Sequence, residues 1–225
     1  MTTTSYPKRF VVYAHRRMAL SELEDVRVYA RVTTKLLHSE AKKHEAYVDS
    51  AVSKLTQDEK EAYFDNNSDT YELLVKRFPN QQQQSLLVLA YTVVETRLIG
   101  VAKVLLNSKK TGLVLKDLSG DSPFQKSRKV ITRVAGLMIE QSHWDDVEAY
   151  RLIRNAIVHN AGDLGQDSHQ LVKQLLAKKP SEIQNSDSEG LTVQPAFVFS
   201  FLEAAEKLLE AVFERWLEQA TASEA

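Results

Sequence analysis

Apolar residues recur every three or four positions over most of this chain and rarely alternate with polar ones, which predicts helices joined by short breaks. Residues 85–106 are apolar nearly all round, with a narrow polar stripe of Ser85, Thr92, Thr96 and Lys103, and so mark a central helix covered by others. Glu95 lies at the edge of that stripe and Arg97 opposite it, and both need partners. A second strong stripe follows Pro195: Phe197, Val198, Phe201, Leu202, Ala205, Leu208, Leu209, Val212, Phe213 and Trp216 predict a closing helix docked on the core. Residues 17–37 and 39–64 interleave charge and apolar positions such as Leu20, Leu23, Val26, Ala30 and Leu36, predicting an antiparallel helical pair. Residues 65–69 (Asp-Asn-Asn-Ser-Asp) form a polar break and the boundary between an N-terminal extension, 1–69, and the remaining helical domain, 70–225. A short helix over 71–78 is expected to stop at Pro79. Pro123 opens a helix to about Ile139, and 168–177 predict another short one. Glu182-Ile183 and Leu191-Thr192-Val193 can pair as a small hairpin around a polar tip. Flexible ends are expected at 1–7 and 220–225, and 109–122 read as a loop.

One helix carries a concentration of chemistry. Ser142 offers an N-cap, Asp145 a capping-box carboxylate, and Asn160 and Gly162 the residues that end helices, so a helix is expected over 143–160. Val147, Ala149, Tyr150, Ile153, Ala156, Ile157 and Val158 form one broad apolar arc. Arg154 projects from the middle of that arc. Desolvated and unpaired, its guanidinium would cost several kcal/mol, so it must meet a partner, an interface or a ligand. Glu95, an isolated acid on the neighbouring central helix, is the best partner within the chain, with a solvated Glu95 the alternative. Asn155 and His159 stand one turn apart, about 40° from each other around the axis, whereas Arg154 is roughly 140° from His159. His159 falls in the last turn, where free carbonyls and the negative end of the helix dipole favour a cationic ring suited to proton transfer.

Composition narrows the classes. The chain has 225 residues, 43% hydrophobic, with 7 Gly and 5 Pro, which fits a mostly helical globular protein with room for a sizeable core. The absence of Cys excludes disulfides, thiolate metal sites and a cysteine nucleophile. No signal-peptide pattern occurs near the start, and the longest apolar run, 86–94, falls short of the ~20 residues a bilayer crossing needs, so a cytoplasmic protein without membrane contact is expected. Twenty-nine basic and thirty acidic residues give a net charge of −1, which argues against coating nucleic acid through bulk charge but leaves room for a small local site. His38, Glu40 and His44 lack the one-turn spacing of paired zinc ligands, and His143 beside Asp145 and Asp146 reads as an ordinary helix-start residue. There is no Gly-rich phosphate loop and no Gly-x-Ser-x-Gly elbow. No metal and no cofactor is therefore expected.

Arg154-Asn155-Ala156-Ile157-Val158-His159 resembles the signature of the HEPN domain family, in which an Arg, usually followed by a polar residue, precedes a His by four to six positions on the third core helix. Phe78-Pro79-Asn80 ahead of the long apolar helix, and a polar hairpin followed by a closing helix after Pro195, are similar to defence-associated members. The resemblance covers about 77–217 and leaves 1–69 without a counterpart. It implies an all-α HEPN-like bundle with one small β-hairpin, to which the periodicity of 1–69 adds an N-terminal helical extension. It further implies a homodimeric, metal-independent endoribonuclease with a composite pocket built from Arg154 and His159 of each copy. Such a site cleaves RNA to 2′,3′-cyclic phosphate ends, with Asn155 orienting the phosphate or the histidine. The setting implied is a bacterial toxin or phage-defence effector with an antitoxin or other defence partner. Lys126, Lys129 and Arg133 can extend a phosphate track or simply form a solvated stripe. The alternative class is a non-catalytic HEPN-like module that binds RNA, nucleotide or protein, with Arg154 a structural residue of the bundle and His159 bonded to a loop carbonyl.

Overall fold

The computed structural model describes residues 8–110, 112–165, 169–186 and 190–223. The expected flexible start at 1–7, the first residue of the expected helix 168–177 and the end at 224–225 lie outside the described residues. The described chain is all-α with one small sheet, 80% helix and 4% strand. In order the elements are α1 (Lys8–Val52), α2 (Gln57–Glu72), α3 (Phe78–Ser108), α4 (Pro123–Lys129), α5 (Gln141–His159), α6 (Gln170–Lys178), β1 (Ile183–Ser186), β2 (Gly190–Val193) and α7 (Pro195–Ala222).

The central helix is where the pattern puts it. Leu86, Leu87, Ala90, Tyr91, Val94, Leu98, Val101 and Leu105 of α3 are buried, and α1, α4, α5 and α7 pack around it. By length and composition, the continuous helix 69–108 could also cross a membrane, contrary to the reading from its longest apolar run; here its buried residues belong to the core shared with the other helices. All ten stripe residues of α7 are buried. Helix α7 keeps its geometry to Ala222 and buries Ala220, so the expected fraying over 220–225 begins too early. The hairpin forms antiparallel, with Ile183 opposite Val193.

Three expected breaks are not breaks. Helices over 17–37 and 39–64 do not form with those bounds: α1 runs through Ser39 to Val52 because nothing there stops a helix, and the chain turns instead at 53–56, so 57–64 belong to α2. There the Glu59 carboxylate accepts both the backbone N–H and the hydroxyl of Thr56, at 2.8 Å each, and starts α2. The buried stripe of α1 is Val12, Ala19, Leu23, Val26 and Ala30, whereas Leu36 is 59% exposed. The polar run 65–69 is helical inside α2: Asp65, Asn66 and Asp69 are exposed, and Asn66 and Asn67 bond back to the carbonyls of Ala62 and Tyr63. Pro79 does not end a helix either. A π-helical turn, Leu73–Arg77, precedes it, with the Phe78 N–H donating to the Leu73 carbonyl; the wider turn absorbs the mismatch that a proline ring and its missing N–H impose. Conversely, the helix expected to reach Ile139 ends early. A second π-helical turn, Val130–Val134, is closed by Gly136 at φ +74°.

Asn80 ties the start of α3 to the sheet. Its amide donates to the Leu191 carbonyl at 3.0 Å and accepts the Val193 N–H at 2.9 Å, so it pairs with β2 as a neighbouring strand would. Asn80→Ala is expected to cost about 1–3 kcal/mol in urea unfolding, because the Val193 N–H loses its partner, whereas the Leu191 carbonyl keeps the Gln84 amide at 2.8 Å.

His15 of α1 packs 5.8 Å from the Trp216 ring, beside Gly100 of α3. Burial, and then the Arg97 charge, hold its pKa below the ordinary imidazole value. The folded state therefore favours the neutral ring. The stability this adds is present above a pH of about 6.5 and is lost as pH falls through the folded value. His15→Gln is expected to flatten the thermal stability profile on the acid side of that point, read by melting temperature across pH.

Candidate functional site

Helix α5 lies against α3, α6 and α7. Its arc buries Val147, Ala149, Tyr150, Ile153 and Ala156, with Tyr150 4.9 Å and 5.0 Å from the rings of Phe197 and Phe201. The arc closes sooner than its periodicity suggests: Ile157 is half-buried and Val158 is 45% exposed. The N-cap is Glu140 rather than Ser142, and Asp145 accepts from the Gln141 side chain at 2.5 Å instead of closing a capping box. At the other end Asn160 keeps a negative φ, and the left-handed residues are Ala161 at +51° and Gly162 at +88°. The N–H groups of Asn160 and Gly162 both donate to the Ala156 carbonyl, which finishes the helix immediately after His159.

Arg154 is half-buried, with its guanidinium carbon 5.6 Å above the Tyr91 ring centre on α3. Its Nη1 donates to Asn155 Oδ1 at 3.2 Å, and its buried Nε has no hydrogen-bond partner among the described residues. The expected Glu95–Arg154 pair is absent among the described residues. Glu95 accepts instead from the Tyr91 hydroxyl at 3.1 Å, and Arg154 lies over the ring of the same tyrosine. Burial, the Glu95 charge and that hydrogen bond push the Tyr91 pKa well above the usual phenol range, so the ring stays a neutral donor and platform.

The cation that sequence reasoning overlooked is Arg151, one turn before Arg154. Its Nε and Nη2 donate to the two oxygens of Glu148 at 2.7 and 2.8 Å, and Gln125 donates to the same carboxylate at 3.3 Å. Hydrogen bonding to Glu148 leads the causes that raise the Arg151 pKa, and the Glu95 charge contributes. The three-residue spacing of Glu148 and Arg151 was the available signal.

Asn155 and His159 face the other flank of α5. They line an open groove of about 380 Å³ against the 160–165 turn and α6, together with His169 and Asp163. His159 is exposed and has no hydrogen-bond partner among the described residues, so the loop-carbonyl bond is not formed. Arg154 and His159 thus sit on different flanks of one helix, joined through Asn155, which touches Arg154 and lines the groove of His159.

Lys126, Lys129 and Arg133 lie elsewhere. Arg128 of α4 stacks on Trp144 and bonds Gln141 near the start of α5, and Gln125 reaches Glu148, so α4 flanks the first half of α5. From the level of Glu148 to His159 the helix rises about 16 Å. Within one copy the three cations do not extend the groove, and Lys129 is engaged by the Ser119 carbonyl and hydroxyl. A larger hollow, about 620 Å³, lies between α1 and α2, with Tyr63, Phe64 and Tyr71 on its walls beside His44, Asp49 and Lys76, and is remote in sequence from the motif.

A comparison with known protein families, with curated proteins and with solved structures returned no match to this chain.

Proposed function

We propose that this chain is a metal-independent endoribonuclease of the HEPN type, acting as a homodimer in which Arg154 and His159 of each copy converge on one scissile phosphodiester. The observation that carries this reading is the linked set Arg154–Asn155–His159: a cation with an unsatisfied Nε, an amide touching it, and an open imidazole one turn on. The dimer accounts for what a lone copy leaves undone. Arg154 and His159 diverge within one copy, and exposed Val158 sits beside Arg154 on a face that a two-fold partner could cover.

The chemistry needs no metal. An imidazole takes the proton of the RNA 2′-hydroxyl, the 2′-oxygen attacks phosphorus, and the bond to the 5′-oxygen breaks as that oxygen receives a proton from a second imidazole. A 2′,3′-cyclic phosphate and a 5′-hydroxyl result. Arg154 stabilises the charge that builds on the phosphate. The setting proposed with this activity is a cytoplasmic toxin or phage-defence effector held in check by a partner protein.

One observation favours the non-catalytic alternative: Arg154 already has a platform in Tyr91 and a bond to Asn155, as a structural arginine would. RNA incubated with the purified protein in EDTA separates the two readings. Cleavage that vanishes in both Arg154→Ala and His159→Ala supports the nuclease, and an inert wild type over a broad RNA panel supports the binding module.

A further inference from the structure

His169 stands just ahead of α6 and shares the groove with His159 and Asn155, although nothing in the motif points to it. Its Nδ1 accepts the backbone N–H of Leu171 at 3.2 Å and so caps the helix. That bond fixes the ring's chemistry. A nitrogen accepting from an amide keeps its lone pair, so the proton of the neutral ring resides on Nε2. The ring's remaining polar atom is thus an N–H donor with no partner among the described residues.

The groove therefore holds two imidazoles with different bonding. His159 has both nitrogens free for proton transfer. His169 has one nitrogen tied to the backbone and one available as a donor, and cannot act as a base through Nε2 while it caps α6. Among the described residues no three of His, Asp and Glu gather as metal ligands would, and Asp163 Oδ1 accepts the Gly165 N–H at 2.7 Å. The set fits hydrogen bonding to an anion rather than metal ligation. A groove of about 380 Å³ is of the size that takes a small ligand.

We propose that His169 is a phosphate-binding residue of this site, donating from Nε2 to a non-bridging oxygen of the phosphodiester on which His159 acts. The role rests on the nuclease reading for its substrate, but its anion binding can be read without any cleavage.

Two substitutions separate binding from capping. Asparagine places an amide oxygen where Nδ1 lies and is a strong N-cap, but removes the outer donor. Glutamine carries its amide nitrogen to about the position of Nε2 and gives up the cap. If His169 holds phosphate, His169→Asn keeps α6 and loses roughly ten- to a hundredfold in kcat/KM on RNA, the range for one hydrogen bond to a charged group, while His169→Gln stays closer to wild type. If it only caps, Asn is silent and Gln is the damaged variant, which overturns the proposal.

The cleavage-free arm is an NMR titration of the histidine ring signals with inorganic phosphate. Parallel shifts of His159 and His169 with one apparent Kd, weakened tenfold or more in His169→Asn, support the proposal even in a protein that leaves all RNA intact, in which case the nuclease reading alone fails. Shifts confined to His159 in a protein that does cut RNA overturn the proposal and leave the nuclease standing.

Discussion

Alanine in place of His159 is expected to lower RNA cleavage in EDTA by about 10²- to 10⁴-fold, the usual worth of a positioned acid–base group. Thermal stability should shift by no more than about 0.5 kcal/mol, as for other exposed side chains without a fixed partner. This separation of rate from stability is what a functional imidazole, and not a structural one, gives. Arg154→Ala should lose rate comparably, but with a measurable loss of stability, because it uncovers the face of Tyr91 and frees the Asn155 amide. Arg154→Lys refines the test. It keeps the charge but loses the planar fork and the stacking, so its rate should lie nearer to alanine than to wild type. Cleavage is followed on end-labelled RNA, with cyclic phosphate ends identified by their resistance to alkaline phosphatase until acid opens the ring. A His159→Ala protein as active as wild type would sink the assignment. Relief of growth arrest by the same substitution on expression in bacteria is a second readout, useful where the protein rejects bulk RNA.

Much of the framework was legible because burial writes itself into periodicity. The all-round apolar character of α3 and the ten-residue stripe of α7 can be satisfied only by helices packed in a core, and both are. The breaks were less legible. Asp, Asn and Ser over 65–69 suit a loop or an exposed helix equally, and only the neighbours of α2 decide. Pro79 argues for a stop only if the preceding turn is α-helical, and the π-helical turn removes that premise. At the site, the 140° between Arg154 and His159 did predict that they diverge. The partner of Arg154 could not be read, because it depends on the heights of two helices: Tyr91 rather than Glu95 stands at its level. His169 was hidden for a similar reason. Its place beside His159 depends on how α6 packs against α5, which no local pattern encodes.

Arg151→Met is expected to destabilise the fold by about 3 kcal/mol in urea unfolding, the usual consequence of stranding one member of a buried ion pair. The side chains of Arg151 and Glu148 are only 11% and 13% exposed, so Glu148 would keep its charge largely out of water with Gln125 alone as donor. Replacing both, Arg151→Met with Glu148→Leu, should return stability to within about 1 kcal/mol of wild type, since a hydrophobic pair of similar volume needs no desolvation. The activity should not return with it. Glu95 survives in the double variant, and Arg151 is the cation whose field it now feels. With that charge gone, Arg154, stacked on the ring whose hydroxyl Glu95 holds, is expected to be drawn toward the acid and away from the phosphate it is proposed to bind. The double variant is therefore expected to fold well and cut slowly, and adding Glu95→Gln to it should restore part of the rate. A double variant as active as wild type would show that Arg151 serves the fold alone. Rescue by Glu95→Gln would show instead that α5 carries two arginines so that one can satisfy the acids of the bundle and leave the other free.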